Sequence, residues 1–511
     1  MTGPGPAPGD NRVFHVEGEP VPRDADAIEG DALPVPGGQL PVVGPAVRFL
    51  DNRTGLVTFG RSALEKVFPD HWTFLLGEIA AFSFIVLLIT GTYLTLFFRP
   101  DGTTTIYTGP YAPLDGTKMS AAFSSVLALS FSVEGGLLAR QAHHWAALLF
   151  IAAIVTHLTR IFLTGAFRRP RELNWVIGFT LLLLALAEGI TGYSLPDDLL
   201  SGTGLRIIYS IIMAIPFLGP WIASLLFGGL FPTTAIISRL FIVHVLLLPG
   251  ALIGLISVHL LFVWIQKHTQ YKIPGATEHN VIGLSLWPGQ AFRSIGAFLL
   301  TAAVIALLGG LFEINPVWIY GPYVPYAAAV PAQPDYYVGW LEGLVRMAPN
   351  WQLTLFGITI LPEPFIPGLV VPGVLFTVLW IWPFIEAFIT GDRREHNLLD
   401  WPWEAPWRAA TGAAFATIFL VLLLEGANDV LAAWLLIPVE NLTQFFRIMV
   451  FAGPVIAWIV TYRLARARLE HGTKPIEPRG GIALRRNATG GFEEVHDRAA
   501  VDAALGGGGP K

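Results

Sequence analysis

The chain has 511 residues, no cysteine and a formal net charge of −5. Its mean hydropathy is +0.58 and 14% of its residues are charged, against about 25% in an ordinary soluble domain. No basic patch with interleaved aromatics offers a nucleic-acid surface, and the missing thiols exclude disulfides, zinc clusters, Cys-ligated iron–sulfur centres and covalently attached heme.

Residues 1–70 read as a cytoplasmic extension, whose first 39 residues are rich in Pro and Gly and acidic, without the short apolar core and cleavage site of a secretory signal. Eight apolar runs follow, near 72–98, 142–167, 174–195, 235–266, 291–312, 367–390, 410–424 and 446–463. With their ends extended by several flanking residues where a run is short, as at 410–424, each can cross about 30 Å of hydrocarbon, so the predicted fold is an all-α integral membrane protein. An even number of spans puts both termini on one side. Arg168, Arg169 and Arg171 follow span 2, Lys267 and Lys272 span 4, Arg393 and Arg394 span 6, and Arg463, Arg466 and Arg468 span 8. The positive-inside rule makes those loops, and both termini, cytoplasmic. Between spans 3 and 4 the apolar stretch 207–230 is broken by Pro216, Gly219 and Pro220, which predicts short helices across the outer surface. Residues 313–366 form a second long outer loop, rich in Pro, Tyr and Trp. The expected organisation is an extension (1–70), a four-helix unit (71–275), a second membrane region (276–470) and a poorly ordered cytoplasmic tail (471–511).

Histidine inside a membrane span is costly unless it is paired or ligates a metal. Span 2 carries His143 and His157, 14 residues apart, and span 4 carries His244 and His259, 15 apart. Fourteen helical residues rise about 21 Å and return within about 40° of the starting face; fifteen overshoot by about 60°. Two such helices face to face make two His–His sites stacked across the membrane, suited to two b-type hemes whose iron has no open position and therefore transfers electrons. His144, about 100° from His143, points elsewhere and is not expected to be a ligand.

Gly77 and Gly91 in span 1 repeat the 14-residue interval, as do Gly178 and Gly192 in span 3. A flat macrocycle can press on backbone only where no side chain intervenes. Arg140, Arg160 and Arg239 flank the histidines and are candidate partners for heme propionates.

The run from Arg140 through His157 to Arg160, the glycine intervals, and Gly192-Tyr193-Ser194-Leu195-Pro196 resemble cytochrome b of the quinol:cytochrome c reductase (bc1 and b6f) complexes. Phe167-Arg168-Arg169-Pro170 and the Asp197-Asp198 that follows Pro196 are similar to the actinobacterial menaquinol reductases. The resemblance implies a translocating quinol–cytochrome c reductase in a bacterial plasma membrane. It implies a Q-cycle: quinol is oxidised outside, one electron leaves through a Rieske iron–sulfur subunit towards a diheme cytochrome c subunit, and the other crosses the outer heme (His143, His244) and the inner heme (His157, His259) to an inner quinone. It implies bound menaquinone, surrounding lipid, a homodimeric complex and a heme–copper oxidase beyond it. Where the family has Pro-Glu-Trp-Tyr, this chain has Pro334-Asp335-Tyr336-Tyr337. The implied outer-site residues are Asp335 as proton acceptor, with Tyr337, Glu342 and Tyr193. Lys267, His268 and Lys272 are the inner-site candidates. Two other classes also place histidines in spans: the diheme membrane anchor of a dehydrogenase or hydrogenase, and a secondary transporter without heme.

Overall fold

The computed structural model describes residues 43–327, 333–349, 351–470, 483–486 and 492–495. Most of the expected extension 1–70 and most of the tail 471–511 lie outside them. Among the described residues, seven helices are long and apolar enough to cross a membrane: Trp72–Thr95, Gly136–Thr164, Glu172–Tyr193, Ala235–Ile265, Leu286–Leu311, Pro406–Gly426 and Val439–Glu470. The remaining span, sixth in order, is two helices, Ile366–Trp380 and Trp382–Thr390, bent by 60°.

Proline explains the bend. Pro383 sits in the first turn of the second half; it has no N–H for the Leu379 carbonyl, and its ring crowds that oxygen. Trp175 of span 3 donates its Nε1–H to the same carbonyl at 2.9 Å. A carbonyl that has lost its usual helical donor thus gains one from the neighbouring helix.

Prolines also widen two spans. The π-helical turn Val243–Leu247 immediately precedes Leu248-Pro249 in span 4, and Ile366–Val370 precedes Val371-Pro372 in span 6. A π turn holds one residue more than an α turn at about the same phase. Within span 4 it lies between Ile242 and Leu248 and includes His244. The 15-residue separation of His244 and His259 is therefore phased like 14 residues, and the expected overshoot disappears.

Span 1 packs on span 2, span 3 on span 4, and span 7 on span 8. The main core joins Ala80 and Phe84, Phe150 to Phe162, Trp175 to Ala185, and Leu252 from the first four spans to Tyr337 and Trp382. Each helix uses apolar residues all round, as buried or lipid-facing helices do. Between spans 3 and 4 run Leu199–Met213 and Gly219–Phe227. These are the two short helices the broken apolar stretch predicts. Asp198 caps the first, accepting from Leu200 N and Ser201 N at 3.1 and 3.4 Å.

The two ends of the helical array differ. At one, called here the loop end, lie residues 313–327, 333–349 and 351–366, with the loop helix Tyr336–Met347. At the other, the basic end, lie Arg168, Arg169, Arg393 and Arg394. Short strand pairs tie the basic end together: Val67–Pro69 with Gly283–Ser285, and Gln270–Tyr271 with Leu398–Leu399. The expectation of a poorly ordered tail needs correction in part: Ala483–Arg486 and Phe492–Val495 form an antiparallel pair.

Candidate functional site

The four span histidines meet in two pairs, and every expected glycine lies against one of them. At the loop end the rings of His143 and His244 have centroids 6.3 Å apart with planes at 77°. Imidazole nitrogens bind first-row metals at about 2 Å, so two rings on opposite sides of one metal have centroids roughly 6 Å apart. A Cβ at Gly91 would stand 3.1 Å from the His143 ring, and one at Gly192 would run into the His244 ring. At the basic end, Gly77 and Gly178 face His157 and His259 at 3.1 and 3.4 Å. The glycines thus make room for the imidazoles themselves. The expectation from sequence was that they admit a macrocycle edge.

The loop-end rings are held in one tautomer. Thr90 spends its only hydroxyl proton on the Val86 carbonyl, at 2.7 Å, so it can only accept from His143 Nδ1–H, at 2.9 Å. His244 Nδ1–H donates to the Glu188 carbonyl at 3.1 Å and lies 3.1 Å from the Glu188 carboxylate. Both Nε2 lone pairs are left free for a metal, with each ring oriented through its Nδ1–H as in metal-binding histidines. At the basic end, His157 Nδ1 is buried without a hydrogen-bond partner. Among the described residues no three His, Cys, Asp or Glu side chains converge on a metal position. Paired imidazoles therefore suit a metal whose other ligands come from a macrocycle.

Two of the three arginines accompany these levels. Arg160 is buried at the basic end, its guanidinium 4.3 Å from the Phe74 ring centroid, with Nε and one terminal nitrogen unpartnered. Arg140 at the loop end donates to the Asn315 carbonyl at 3.1 Å and keeps its Nε unpartnered. Orphaned buried donors of this kind fit an anionic group such as a carboxylate. Arg239 does not join them. It is exposed and donates to the carbonyls of Leu225 and Leu226, closing the end of Gly219–Phe227.

The expected outer-site residues all lie at the loop end, and all but one leave their polar groups to the site. Asp335 opens the loop helix, and its carboxylate accepts two contacts from His144 Nε2–H at 2.9 and 3.0 Å. Tyr337 is buried against span 3, where a Cβ at Gly189 would stand 2.8 Å from its ring. Burial, then the adjacent Asp335 carboxylate, pushes the Tyr337 phenol up. Tyr193 lies 6.5 Å from His144, ring to ring, with its hydroxyl buried and unpartnered. Glu342 is the exception: it is engaged by Arg346 at 2.5 Å. Burial pushes the Glu342 carboxyl up despite that cation.

The inner-site candidates do not converge. Lys267 is exposed. Lys272 is paired with Glu404 and Asp400 at 2.7 and 3.3 Å. His268 packs on Phe68 with centroids 4.3 Å apart, and its Nε2 is buried without a partner. Burial, then the cations Lys66 and Arg171, lowers His268 to about 4.

Two contributors escaped the sequence reading. Glu188 is an acid inside a span, which is itself a signal. His144 carried no signal beyond its type, because its partner lies 191 residues away.

Comparison with known proteins agrees with this geometry. The family model described as Cytochrome b(N-terminal)/b6/petB matches residues 148–322. The "Cytochrome bc1 complex cytochrome b subunit" of Streptomyces coelicolor is 44% identical over 461 residues, 90% of this chain and 84% of that protein. The protein of the same name from Mycobacterium bovis is 49% identical over 444 residues, covering 85% and 79%. A chain of the solved "Hyperthermophilic respiratory Complex III" matches in fold with a TM-score of 0.58 at 20% identity, covering 82% of this chain and 100% of that one. The protein therefore belongs to the cytochrome b family, as the multi-pass membrane cytochrome b subunit of a bc1-type respiratory electron-transport complex, with relatives in actinobacteria.

Proposed function

We propose that this cytochrome b works in a menaquinol:cytochrome c oxidoreductase that oxidises quinol at the loop end and reduces quinone at the basic end. The carrying observation is the pair of His–His levels, each faced by two glycines, with the Asp335 loop helix docked at only one of them. Cytochromes b normally carry heme b; here we assign one to His143 and His244 and another to His157 and His259. Bound there, the hemes would supply one-electron transfer and no substrate chemistry.

The chain's own groups do the rest. Asp335 receives a proton from quinol, with the Tyr337 ring and the unpartnered Tyr193 hydroxyl lining its surroundings. Arg140 and Arg160 neutralise carboxylates at their respective levels. His268, with its free buried Nε2, is the group of the inner trio best placed to meet a quinone oxygen. The positive-inside bias makes the basic end cytoplasmic, so protons are released outside and taken up inside, which is the Q-cycle's contribution to translocation. Rieske and cytochrome c centres belong on other subunits, since this chain has no cysteine to hold them; a dimeric complex next to a heme–copper oxidase in the bacterial plasma membrane completes the reading.

The test is menaquinol-dependent reduction of cytochrome c by the purified complex, with Asp335→Asn as the variant. Turnover lower by about 10²-fold is the range expected for a lost general base. Near-normal turnover at saturating quinol would move the proton acceptor elsewhere. Orientation is tested separately, because any introduced cysteine is the only one. Labelling of a cysteine placed at Arg393 by an impermeant reagent in intact cells would reverse the two ends.

A further inference from the structure

Span 2 presents two adjacent faces at its loop end. His143 and His157 lie on one. His144 is rotated by about 100° from His143, and residue 148, four further on, shares its face. That second face holds the first turn of the loop helix. His144 Nε2–H donates to both Asp335 oxygens, and the Leu148 carbonyl accepts from the Tyr336 hydroxyl at 2.8 Å. The His144 and Asp335 side chains are only 14% and 12% exposed.

Asp335 stands at the N-cap of the loop helix, where a carboxylate ordinarily accepts from the helix's own first amides. None of those amides bonds to it. His144 has taken that interaction, and the carboxylate faces the ligand-bearing span, with the Tyr337 side chain of its own helix beside it. The rest of the loop helix is secured independently: Arg346 donates to Asn428 at 2.7 Å, Arg447 donates to the Met347 carbonyl at 2.8 Å, and Gly343 packs directly on the backbone of Leu422 and Gly426. His144 is therefore not needed to dock the helix. What it controls is where the carboxylate points.

We infer that His144 is a positioning residue of the loop-end site: through Nε2–H it aims the Asp335 carboxylate at span 2, beside the His143–His244 level, so that a quinol meets an acceptor already oriented. This rests on the reading of Asp335 as proton acceptor. A carboxylate left to rotate would sample its N-cap rotamer instead, and misplacement by about 1 Å is enough to cost a large factor in rate.

A double-mutant cycle in the purified complex separates the possibilities. In menaquinol-dependent cytochrome c reduction, His144→Phe should lower kcat by roughly tenfold or more with KM little changed. His144→Gln, whose amide N–H can still donate, should recover most of the rate. The double variant His144→Phe/Asp335→Asn should be no slower than Asp335→Asn alone. Reduced-minus-oxidised heme spectra should match the parent in every variant. His144→Ala replaces His144→Phe in the same cycle if the larger ring blocks assembly. A normal rate in His144→Phe beside a slow Asp335→Asn overturns the positioning role and leaves the acceptor role standing. A further loss in the double variant overturns it too, because His144 would then act independently of Asp335. A loss of heme signal in the His144 variants would make His144 a support of the ligands. Near-normal turnover in Asp335→Asn sinks the underlying reading first, and is recognised without any His144 variant.

Discussion

The two histidine levels share their ligand type and glycine neighbours, yet the protein treats them differently. At the loop end both imidazoles are tied down through Nδ1, to Thr90 and to Glu188, and a carboxylate-bearing helix is docked one residue from a ligand. At the basic end His157 Nδ1 has no partner, and the nearby Arg160 keeps two nitrogens free within an aromatic surround of Phe74 and Tyr271. A hydrogen bond to Nδ1–H makes an imidazole the more basic ligand and favours the oxidised metal. A buried cation does the opposite, since it favours the state with one more electron; Arg140 and Arg160 place one near each level, so the difference lies in the Nδ1 bonds and the Glu188 carboxylate at the loop end. With a heme at each level, one fold that repeats one interval would set two chemically equivalent sites at different potentials through the groups its ligands touch. The loop-end heme should be the lower in potential.

The largest effects should come from removing ligands. His143→Ala or His244→Ala should abolish the lower-potential heme signal and with it quinol oxidation. His157→Ala or His259→Ala should remove the higher-potential signal and leave the other partly assembled. Potentiometric titration of the purified variants reads both, and the opposite assignment would mean that the Nδ1 partners do not set the potentials. Next is Asp335: Asp335→Glu restores the carboxylate of the wider family and should keep much of the activity that Asp335→Asn loses.

The glycines sharpen the comparison at smaller scale. An added methyl has least room at Gly192, more at Gly77 and Gly91, and ordinary contact at Gly178. Heme content measured across the four Gly→Ala variants should fall in that order, with overpacking costs of about 1–3 kcal/mol at the tight positions. Equal effects at Gly192 and Gly178 would mean the helices adjust freely.

The smallest effect should be at His268. Its imidazole would titrate near 6.5 in the unfolded chain, whereas burial, with Lys66 and Arg171, lowers it to about 4 in the fold. The neutral ring therefore contributes stability above about pH 6.5, and that contribution is lost as the pH falls towards 4. His268→Gln should flatten the acid side of the stability profile, measured as Tm between pH 7 and 5. An unchanged slope would place the acid sensitivity in other groups.

Much of this architecture was legible in the sequence because membrane helices advertise themselves. Long apolar runs mark the spans, and a histidine inside one demands a partner. The matched intervals at Gly77, Gly91, Gly178 and Gly192 mark close approaches at two levels, although the groups that approach are the imidazoles and not a macrocycle edge. Contacts between distant segments were less legible. Arg239 looked like a companion of His244 by spacing, but the carbonyls of a neighbouring short helix claim it. Glu342 looked like a helper of Asp335, but Arg346 on the next turn is closer. The π turn before Pro249 escaped notice because a proline in an apolar run predicts a kink as readily as a widened turn. His144 was set aside by its angle from His143, and that same angle puts it on the face that meets Asp335.

The central claim is that each level is a bis-imidazole heme site. The most direct measurement is the heme b content of the purified subunit by pyridine hemochrome, together with the number of low-spin signals in its reduced spectrum. The account predicts two hemes per chain with separate potentials, of which His143→Ala and His157→Ala each remove a different one. A chain holding one heme or none, or single-histidine variants that keep both low-spin signals, would contradict it.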